Sequence, residues 1–387
     1  MSRVNNYPNG FKSPLILSKL NYFVTKLAFG TGEGLFSPFV LLDTGSEETW
    51  VQCEGCDPCF ALKGKNFNYK ASSTYKRMRV DDPMCNPRLA YEGSCGFDLI
   101  FMRSRTIGFV GRDDFYFQDA KTGQFVGYKG LAFGCGLKNV GFPFGKMGLN
   151  NVIAGIHGLA PGPRSFLTQL DSQIKGRFSY CLTTGSGISD MFFGDDAQIS
   201  GDDARKVETI SMNKVKRFHL HLNGISVDGT RLPIDPSIFE LDPLTYSKGF
   251  FIDSGSPYTY LARSAFNPLK DAMVKYFNNN YNWHPLPRRT LFDLCYSSYP
   301  SNVQKFPSVI FHFSGIRQEG EIDWIMDKDN MFQVIGNNEG FCMTIFKIED
   351  PGPCLFGAYQ QVNFKILYDV ANGLLSFVPQ RCHETTL

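Results

Sequence analysis

One short motif occurs twice in this 387-residue chain, about 210 positions apart. Phe39–Ser46 reads FVLLDTGS and Phe250–Ser256 reads FFIDSGS, so each copy runs an apolar strand directly into an Asp-x-Gly-Ser turn. Glycine allows the sharp bend after each aspartate. A carboxylate at the end of an apolar strand is costly to bury unless it is paired, and two equivalent carboxylates can partner each other. The repeat therefore predicts two similar lobes whose aspartates, Asp43 and Asp253, face each other.

The length and composition agree with a two-lobed β protein. Single cores generally stop growing at roughly 250 to 300 residues, which this chain exceeds. Aromatic residues make up 14% of the chain, with 36 Phe and 38 Gly, which is typical of strands and tight turns. Helical periodicity is confined to a few segments such as Ser165–Gln173 and Ser264–Phe277. The predicted fold class is all-β (mainly β).

The division into lobes follows from the position of the most linker-like stretch between the two Asp turns, Thr183–Ser189. We expect a tail at 1–20, a candidate propeptide remnant, followed by an N-terminal lobe at 21–185 with the first Asp turn. We expect the C-terminal lobe at 186–387 to carry the second Asp turn.

Charge and cysteine content exclude some partners and indicate a compartment. The 39 basic and 37 acidic residues give a net charge of +2 without long runs of one sign, so no nucleic-acid footprint is present. No run of 18 apolar residues predicts a membrane span, and without heptads we expect a monomer. Eleven cysteines favour disulfides in an oxidising compartment, extracellular or vacuolar. The first residues do not resemble a signal peptide, so we expect an upstream secretory segment to be missing from this sequence.

Further motifs accompany the two turns. They are Trp50 seven residues after the first Asp, the run Cys53-x-x-Cys56-x-x-Cys59, G-C-G at Gly134–Gly136, the segment Ala154–Leu159, R-F-S-Y-C at Arg177–Cys181 and L-F-G-A-Y-Q-Q at Leu355–Gln361. With D-T-G-S at Asp43–Ser46 and D-S-G-S at Asp253–Ser256, this set resembles the pepsin family of aspartic proteases, specifically its nepenthesin-like plant branch. The resemblance extends from about Tyr22 to Cys382.

The resemblance implies a bilobed acid protease fold with Asp43 and Asp253 facing each other across a cleft. Two close carboxylates share one proton, so one member can act as acid and the other as base on a water, with no metal or cofactor. The turn residues then support the pair. By resemblance Ser46 and Ser256 would hydrogen-bond the outer carboxylate oxygens, and Thr44 and Ser254 would brace the loops, while Gly45 and Gly255 form the turns.

One segment departs from the family pattern. Proteases of this family close a hairpin flap over the substrate, and a flap Tyr usually bonds the Trp that corresponds to Trp50. Aligned on Cys95, the flap of this chain has Phe101 in place of that Tyr. A rival alignment places Tyr91–Ser94 at the tip. Loss of the hydroxyl predicts weaker substrate positioning without damage to the dyad. Arg103 and Arg105 indicate either a preference for acidic substrate residues or, more simply, a hairpin edge that is exposed to solvent.

The cysteines and histidines fit structural roles better than metal binding. The run Cys53, Cys56, Cys59 resembles part of an iron–sulfur or zinc motif, but no further ligand completes it. We therefore expect disulfides among Cys53, Cys56, Cys59, Cys85, Cys95 and Cys135, with pairings left open. The resemblance implies Cys181–Cys382 and Cys295–Cys342 and leaves Cys354 as the candidate free thiol. His219 and His221 would share a strand face but have no third ligand, and His157 fits a satisfied loop histidine.

Two functions remain open at this point. The leading one is an endopeptidase that cleaves protein or peptide substrates at acidic pH. The alternative is a catalytically weak or inert protease-like binder, such as the plant xylanase inhibitors that share this fold. The intact Asp turns favour the enzyme, and the altered flap favours the binder.

Overall fold

The computed structural model describes residues 9–184, 187–200, 206–246, 248–287, 291–297, 306–336 and 340–382. The predicted lobe boundary between residues 185 and 186 lies outside these residues. The elements of the first half are β1 Gly10–Leu17, β2 Phe23–Lys26, β3 Phe39–Asp43, β4 Trp50–Gln52, β5 Lys76–Arg77, β6 Gly96–Phe101, β7 Ser104–Gln118, β8 Phe125–Val140, β9 Ile153–Gly158, α1 Phe166–Gln169, α2 Asp171–Ile174, β10 Arg177–Cys181 and β11 Ser189–Gly194.

The second half is again dominated by strands. Its elements are β12 Glu208–Val215, β13 Arg217–Leu220, β14 Leu222–Val227, β15 Thr230–Arg231, β16 Phe250–Asp253, β17 Thr259–Ala262, α3 Arg263–Tyr281, β18 Cys295–Ser297, β19 Val309–Ser314, β20 Glu321–Met326, α4 Lys328–Met331, β21 Phe332–Ile335, β22 Gly340–Met343, β23 Ile345–Ile348, β24 Cys354–Gly357, β25 Phe364–Asp369 and β26 Leu374–Pro379. The prediction of a mainly β chain is confirmed.

The two aspartates occupy equivalent places in the two lobes. β3 pairs in parallel with β9, so that Asp43 lies opposite Gly158. β16 pairs in parallel with β24 in the same way, and Asp253 lies opposite Gly357. Each aspartate therefore ends a buried strand whose neighbour contributes a glycine at the same level. The sequence repeat corresponds to a repeat in strand pairing.

Longer helices are rare among the described residues, as the periodicity indicates. The segment predicted to be helical at Ser264–Phe277 lies within α3, which extends from Arg263 to Tyr281. Its buried side chains follow helical spacing and include Phe266, Leu269, Met273 and Phe277. The other predicted segment forms the short helices α1 and α2. No helix among the described residues has the length and apolar character required to cross a membrane.

The N-terminal segment differs from the expected tail. Within 1–20, β1 pairs with β11 from Gly10 to Leu15 and with β2 from Leu15 to Leu17. Phe11 and Leu15 are both buried, and Phe11 stacks on Phe117 and Phe193. Along GFKSPLIL the buried residues Phe11, Ser13 and Leu15 alternate with partly buried ones, which gives the strand one buried face. This part of the chain belongs to the central sheet.

Pairing of distant strands joins the lobes. β10 runs antiparallel to β25 and also pairs with β11, so residues near the predicted boundary and residues near the C-terminus share one sheet. β12 pairs with β26 on the same sheet. Below the dyad, the hydroxyl of Tyr180 donates to Gln361 Oε1 at 2.6 Å and lies 2.8 Å from the hydroxyl of Tyr368. This sheet is thus built by both halves of the chain.

Five disulfides link ten of the eleven cysteines. They are Cys53–Cys135, Cys56–Cys59, Cys85–Cys95, Cys181–Cys382 and Cys295–Cys342. The last two are the pairs that the resemblance implies. Cys354 is a buried free thiol, and burial raises its pKa to about 11. A thiol that keeps its proton in an apolar site is inert as a nucleophile.

Candidate active site

The two Asp loops meet through a reciprocal set of hydrogen bonds. Thr44 Oγ1 accepts from the backbone N of Ser254 at 3.0 Å and donates to the carbonyl of Ile252 at 3.3 Å. Ser254 Oγ accepts from the backbone N of Thr44 at 3.2 Å and donates to the carbonyl of Leu42 at 3.0 Å. Because both hydroxyls are buried and fully used, the loops are fixed relative to each other.

The glycine of each loop lets the opposite carboxylate approach. A methyl group on Gly45 would lie 2.7 Å from Asp253 Cγ and 2.8 Å from its Oδ1. A methyl group on Gly255 would overlap Asp43 Oδ1 and lie 2.6 Å from its Cγ. Only a residue without a side chain fits at either position. The structure therefore brings Asp43 and Asp253 together as the sequence repeat predicts.

Hydrogen bonds to the two carboxylates are unequal. Asp43 Oδ1 accepts from the backbone N of Gly45 at 2.8 Å, and Asp43 Oδ2 accepts a very short bond from Ser46 Oγ. Asp253 Oδ1 accepts from the backbone N of Gly255 at 2.8 Å. The hydroxyl expected to support Asp253 is directed elsewhere, since Ser256 Oγ donates to the carbonyl of Tyr258 at 3.2 Å.

The prediction for Ser256 was therefore wrong, and the turn that follows it gives the reason. Ser256 is followed by Pro257 and Tyr258, and the chain bends so that the Tyr258 carbonyl comes within reach of the serine hydroxyl. In the first loop Ser46 is followed by Glu47 and keeps its bond to Asp43. Two identical Asp-x-Gly-Ser motifs thus give two different hydrogen-bond patterns.

The electrostatic surroundings of Asp253 change its pKa. Burial raises the pKa of Asp253 well above its ordinary value, and the negative charge of Asp43 and hydrogen bonding with Asp43 raise it more. The Gly255 N–H and the guanidinium of Arg217 act in the opposite direction but are weaker. The two carboxyls therefore titrate as a pair, within which Asp43 accepts one more hydrogen bond than Asp253 does.

The hairpin of β6 and β7 carries the residue expected at the flap. Phe101 ends β6, Met102 adopts a left-handed φ of 48°, and Ser104 pairs back with Phe101. Tyr91 and Ser94 form a separate tight bridge at the base of the hairpin, next to Cys95. The rival alignment therefore places its Tyr in a different turn.

Trp50 lies in an aromatic cluster with this hairpin. Its ring centroid is 5.1 Å from that of Phe142, which is 6.1 Å from that of Phe101. The indole Nε1 of Trp50 is buried and has no hydrogen-bond partner among the described residues. A phenylalanine at position 101 offers no hydroxyl to that donor, which agrees with the departure seen in the sequence.

The three histidines considered in the sequence analysis have structural surroundings. His157 is buried, lies 2.9 Å through Nδ1 from Thr49 Oγ1, and has its pKa lowered to about 3 by burial. Burial also lowers the pKa of His219 to about 4. His219 belongs to β13, whereas His221 lies between β13 and β14. Among the described residues, no three His, Cys, Asp or Glu side chains are grouped to hold a metal ion.

Two features near the dyad were not identified from the sequence. The first is the Tyr180–Tyr368 hydroxyl pair, in which the two oxygens lie 2.8 Å apart. Its signal was present, since Tyr180 belongs to the R-F-S-Y-C motif. The second is a buried ion pair between Glu48 and Arg164, 2.8 Å from Oε2 to Nη2. No local pattern connects residues 116 positions apart.

Sequence models of known families match both halves of the chain. The family described as Xylanase inhibitor N-terminal matches residues 23–195, and the one described as Xylanase inhibitor C-terminal matches residues 217–379. The chain is 30% identical to aspartic proteinase nepenthesin-1 of Nepenthes gracilis, over 97% of this chain and 82% of that protein. It is 31% identical to aspartyl protease family protein 2 of Arabidopsis thaliana, over 97% and 74% of the two chains.

Solved structures show the same architecture at lower sequence identity. The crystal structure of edgp matches with a TM-score of 0.75 and 18% identity, covering 96% of this chain and 95% of that one. Basic 7S globulin from soybean matches with a TM-score of 0.74 and 17% identity, covering 98% of each chain. At this identity the likeness establishes the fold alone, and it confirms the bilobed prediction.

Proposed function

Because the chain belongs to the pepsin family of aspartic proteases, in the branch that includes the nepenthesins, we propose that it is an endopeptidase whose dyad is Asp43 and Asp253. The observation that carries the proposal is the mutual approach of the two loops, in which each glycine leaves room for the opposite carboxylate. Two carboxyls held this closely share a proton, which supplies an acid and a base at one point.

The unequal surroundings assign the roles. Asp43 accepts from Gly45 N and Ser46 Oγ, so it is the carboxylate that takes a proton from the attacking water. Asp253 keeps its proton and donates it toward the oxygen of the scissile carbonyl. The water oxygen bonds to the carbonyl carbon. Asp43 then passes the proton that it took from the water to the leaving nitrogen, the C–N bond breaks, and a hydroxyl of the intermediate returns a proton to Asp253. No covalent enzyme intermediate is required.

The pH range follows from the same carboxyls. The pair is active while Asp253 is protonated, so activity is present at low pH and is lost as the pH rises through the raised pKa of Asp253. The five disulfides fit an oxidising compartment, and we propose an extracellular or vacuolar location. The substrate is a protein or peptide, over which we propose that the β6–β7 hairpin closes as the flap.

The test is cleavage of a denatured protein and of a fluorogenic peptide library at acidic pH. We expect Asp43→Asn and Asp253→Asn each to lower the rate by roughly 10²- to 10⁴-fold, because each removes one proton-transfer group. Asp81→Asn is the matched control, since Asp81 is exposed and pairs with Arg79 on the surface. Absence of cleavage by the mature protein, or cleavage unaffected by Asp43→Asn, contradicts the proposal.

A second candidate is a protease-like binding protein that inhibits a glycoside hydrolase. It is favoured by the xylanase-inhibitor descriptions of both matching families and by the buried Nε1 of Trp50, which has no hydrogen-bond partner within the described part of the chain. A hairpin that lacks this bond positions a substrate less precisely, which costs rate without affecting the fold.

Binding to a xylanase separates this candidate from the protease. Stoichiometric inhibition that survives Asp43→Asn and occurs without cleavage of either protein supports the binder. Binding of a statine-type transition-state analogue that is lost in Asp43→Asn supports the protease, because such a compound needs both carboxyls in an open cleft.

A further inference from the structure

The segment after β9 runs alongside the first Asp loop. The backbone N of Leu159 donates to the carbonyl of Asp43 at 2.8 Å, and the backbone N of Ala160 donates to the carbonyl of Ser46 at 2.9 Å. Further along, a methyl group on Gly162 would overlap the carboxylate of Glu47. The contact continues to Arg164, so this segment follows the loop from the catalytic aspartate to Glu48.

Arg164 ends this contact with a buried ion pair. Its Nη2 donates to Glu48 Oε2 at 2.8 Å, and the side chains of Glu48 and Arg164 are 2% and 11% exposed. Glu48 lies five positions after Asp43 on the same loop. The backbone of Arg164 is fixed as well, because its carbonyl accepts from Gln169 Nε2 at 2.8 Å.

The guanidinium also reaches the base of the β6–β7 hairpin. Arg164 Nη1 donates to the carbonyl of Met84 at 3.1 Å. Met84 precedes Cys85, which is bonded to Cys95, and Cys95 directly precedes β6. One side chain therefore connects the first Asp loop to the strand that carries Phe101.

We propose that Glu48 and Arg164 are positioning residues, which hold the first Asp loop in register with the base of the β6–β7 hairpin. The role deepens the proposed function and rests on it, because a fixed distance between loop and flap matters for a substrate held between them. Neither residue touches the dyad. Both act through the segment that carries Asp43.

The charges around Glu48 indicate how the link depends on pH. Burial raises the pKa of Glu48 to about 7 and also raises that of Glu47, while Arg164 lowers both and the charge of Glu47 raises that of Glu48. Glu48 is therefore neutral in acid and still accepts a hydrogen bond from Arg164. Because its folded pKa exceeds the unfolded value of 4.5, its contribution to stability is complete below that value and is lost as the pH rises through about 7.

The test compares Arg164→Met and Glu48→Gln with wild type, and Arg79→Met serves as the control because its pair with Asp81 is exposed. We expect Arg164→Met to lower kcat by roughly 10- to 100-fold with little change in KM. We expect Glu48→Gln, which keeps a neutral acceptor, to retain kcat in acid and to lose less stability between acidic and neutral pH than wild type does. Arg164→Lys keeps the positive charge but cannot bond both Glu48 and the Met84 carbonyl as the guanidinium does. We expect its kcat to lie between those of wild type and Arg164→Met.

Hydrogen exchange provides a readout that needs no catalysis. We expect the amides of β6 and of the first Asp loop to exchange about 10-fold faster in Arg164→Met, and to be unchanged in Arg79→Met. If wild type cleaves peptides but Arg164→Met matches it in kcat and exchange, the link is refuted while the dyad stands. If no variant cleaves anything, the exchange data still decide whether the link exists. If Arg164→Met fails to fold, Arg164→Lys is judged by the same criteria.

Discussion

The two Asp loops share a motif and differ in how they use it. In both, the second residue joins the loops through reciprocal hydrogen bonds and the third is a glycine that faces the opposite carboxylate. The fourth residue differs, because Ser46 donates to Asp43 whereas Ser256 donates to the backbone of Tyr258. A near-symmetric frame therefore holds an asymmetric pair, which is what a reaction needing one acid and one base requires.

The contrast extends to the fifth residue after each aspartate. In the first loop this is Glu48, which accepts a hydrogen bond from Arg164. In the second it is Tyr258, whose hydroxyl donates to Gln333 Oε1 at 2.7 Å and accepts from Asn21 Nδ2 at 3.3 Å. The first loop is held by Arg164, a residue of the same half of the chain. The second is held partly by Asn21, which lies in the first half of the chain between β1 and β2.

Among changes that keep both aspartates, the largest expected effect comes from the two glycines, which test the symmetric part of the comparison. Gly45→Ala and Gly255→Ala each force a methyl group against the opposite carboxylate, so we expect kcat/KM to fall by roughly 10²-fold or more. Gly255→Ala should be the more severe, because its contact with Asp43 is closer. Peptide-cleavage kinetics provide the measurement, with Gly64→Ala as control, since a methyl group there meets nothing within 4 Å. Equal activity in all three variants would show that the carboxyls are not paired.

The serines test the asymmetric part. We expect Ser46→Ala to lower kcat/KM by roughly 10-fold, the value of one hydrogen bond to a charged group, and Ser256→Ala to leave it nearly unchanged. The alkaline limb of the pH–rate profile reports loss of the proton from Asp253 and should stay in place in both variants. Equal losses in the two variants would remove the assignment of acid and base.

The sequence predicts the symmetric frame better than the asymmetry within it. Two copies of an apolar strand ending in Asp-x-Gly suffice to predict the lobes and the meeting of Asp43 with Asp253, because each motif is local and repeats. The direction of the Ser256 hydroxyl cannot be predicted in this way. It depends on where the Tyr258 carbonyl lies after Pro257, which the motif itself does not contain.

Long-range pairing is the other part that the sequence does not reveal. β10 lies beside β25, and Glu48 beside Arg164, through folding of the whole chain, so no spacing along the sequence indicates either contact. β1 was missed for a local reason, because Ser13 and Pro14 interrupt its apolar alternation. Pairing with β11, in which Pro14 lies opposite Asp190, and the stacking of Phe11 nevertheless keep this segment in the sheet.

The smallest effect concerns stability. It tests whether the reciprocal hydrogen bonds of Thr44 and Ser254 contribute equally to the free energy of unfolding. Thr44→Val and Ser254→Ala each remove one buried hydroxyl that makes two hydrogen bonds, so we expect each to destabilise the fold by about 1 to 3 kcal/mol. The double variant should lose less than the sum, because both hydroxyls hold the same two loops together and the loss of one already weakens what the other holds. Urea unfolding measures these differences, with the exposed Thr230→Val as control. A large loss of stability for one variant and none for the other would show that one of the two hydroxyls holds the loops together. The two Asp loops would then differ in their contribution to stability as well as in the hydrogen bonds to their carboxyls.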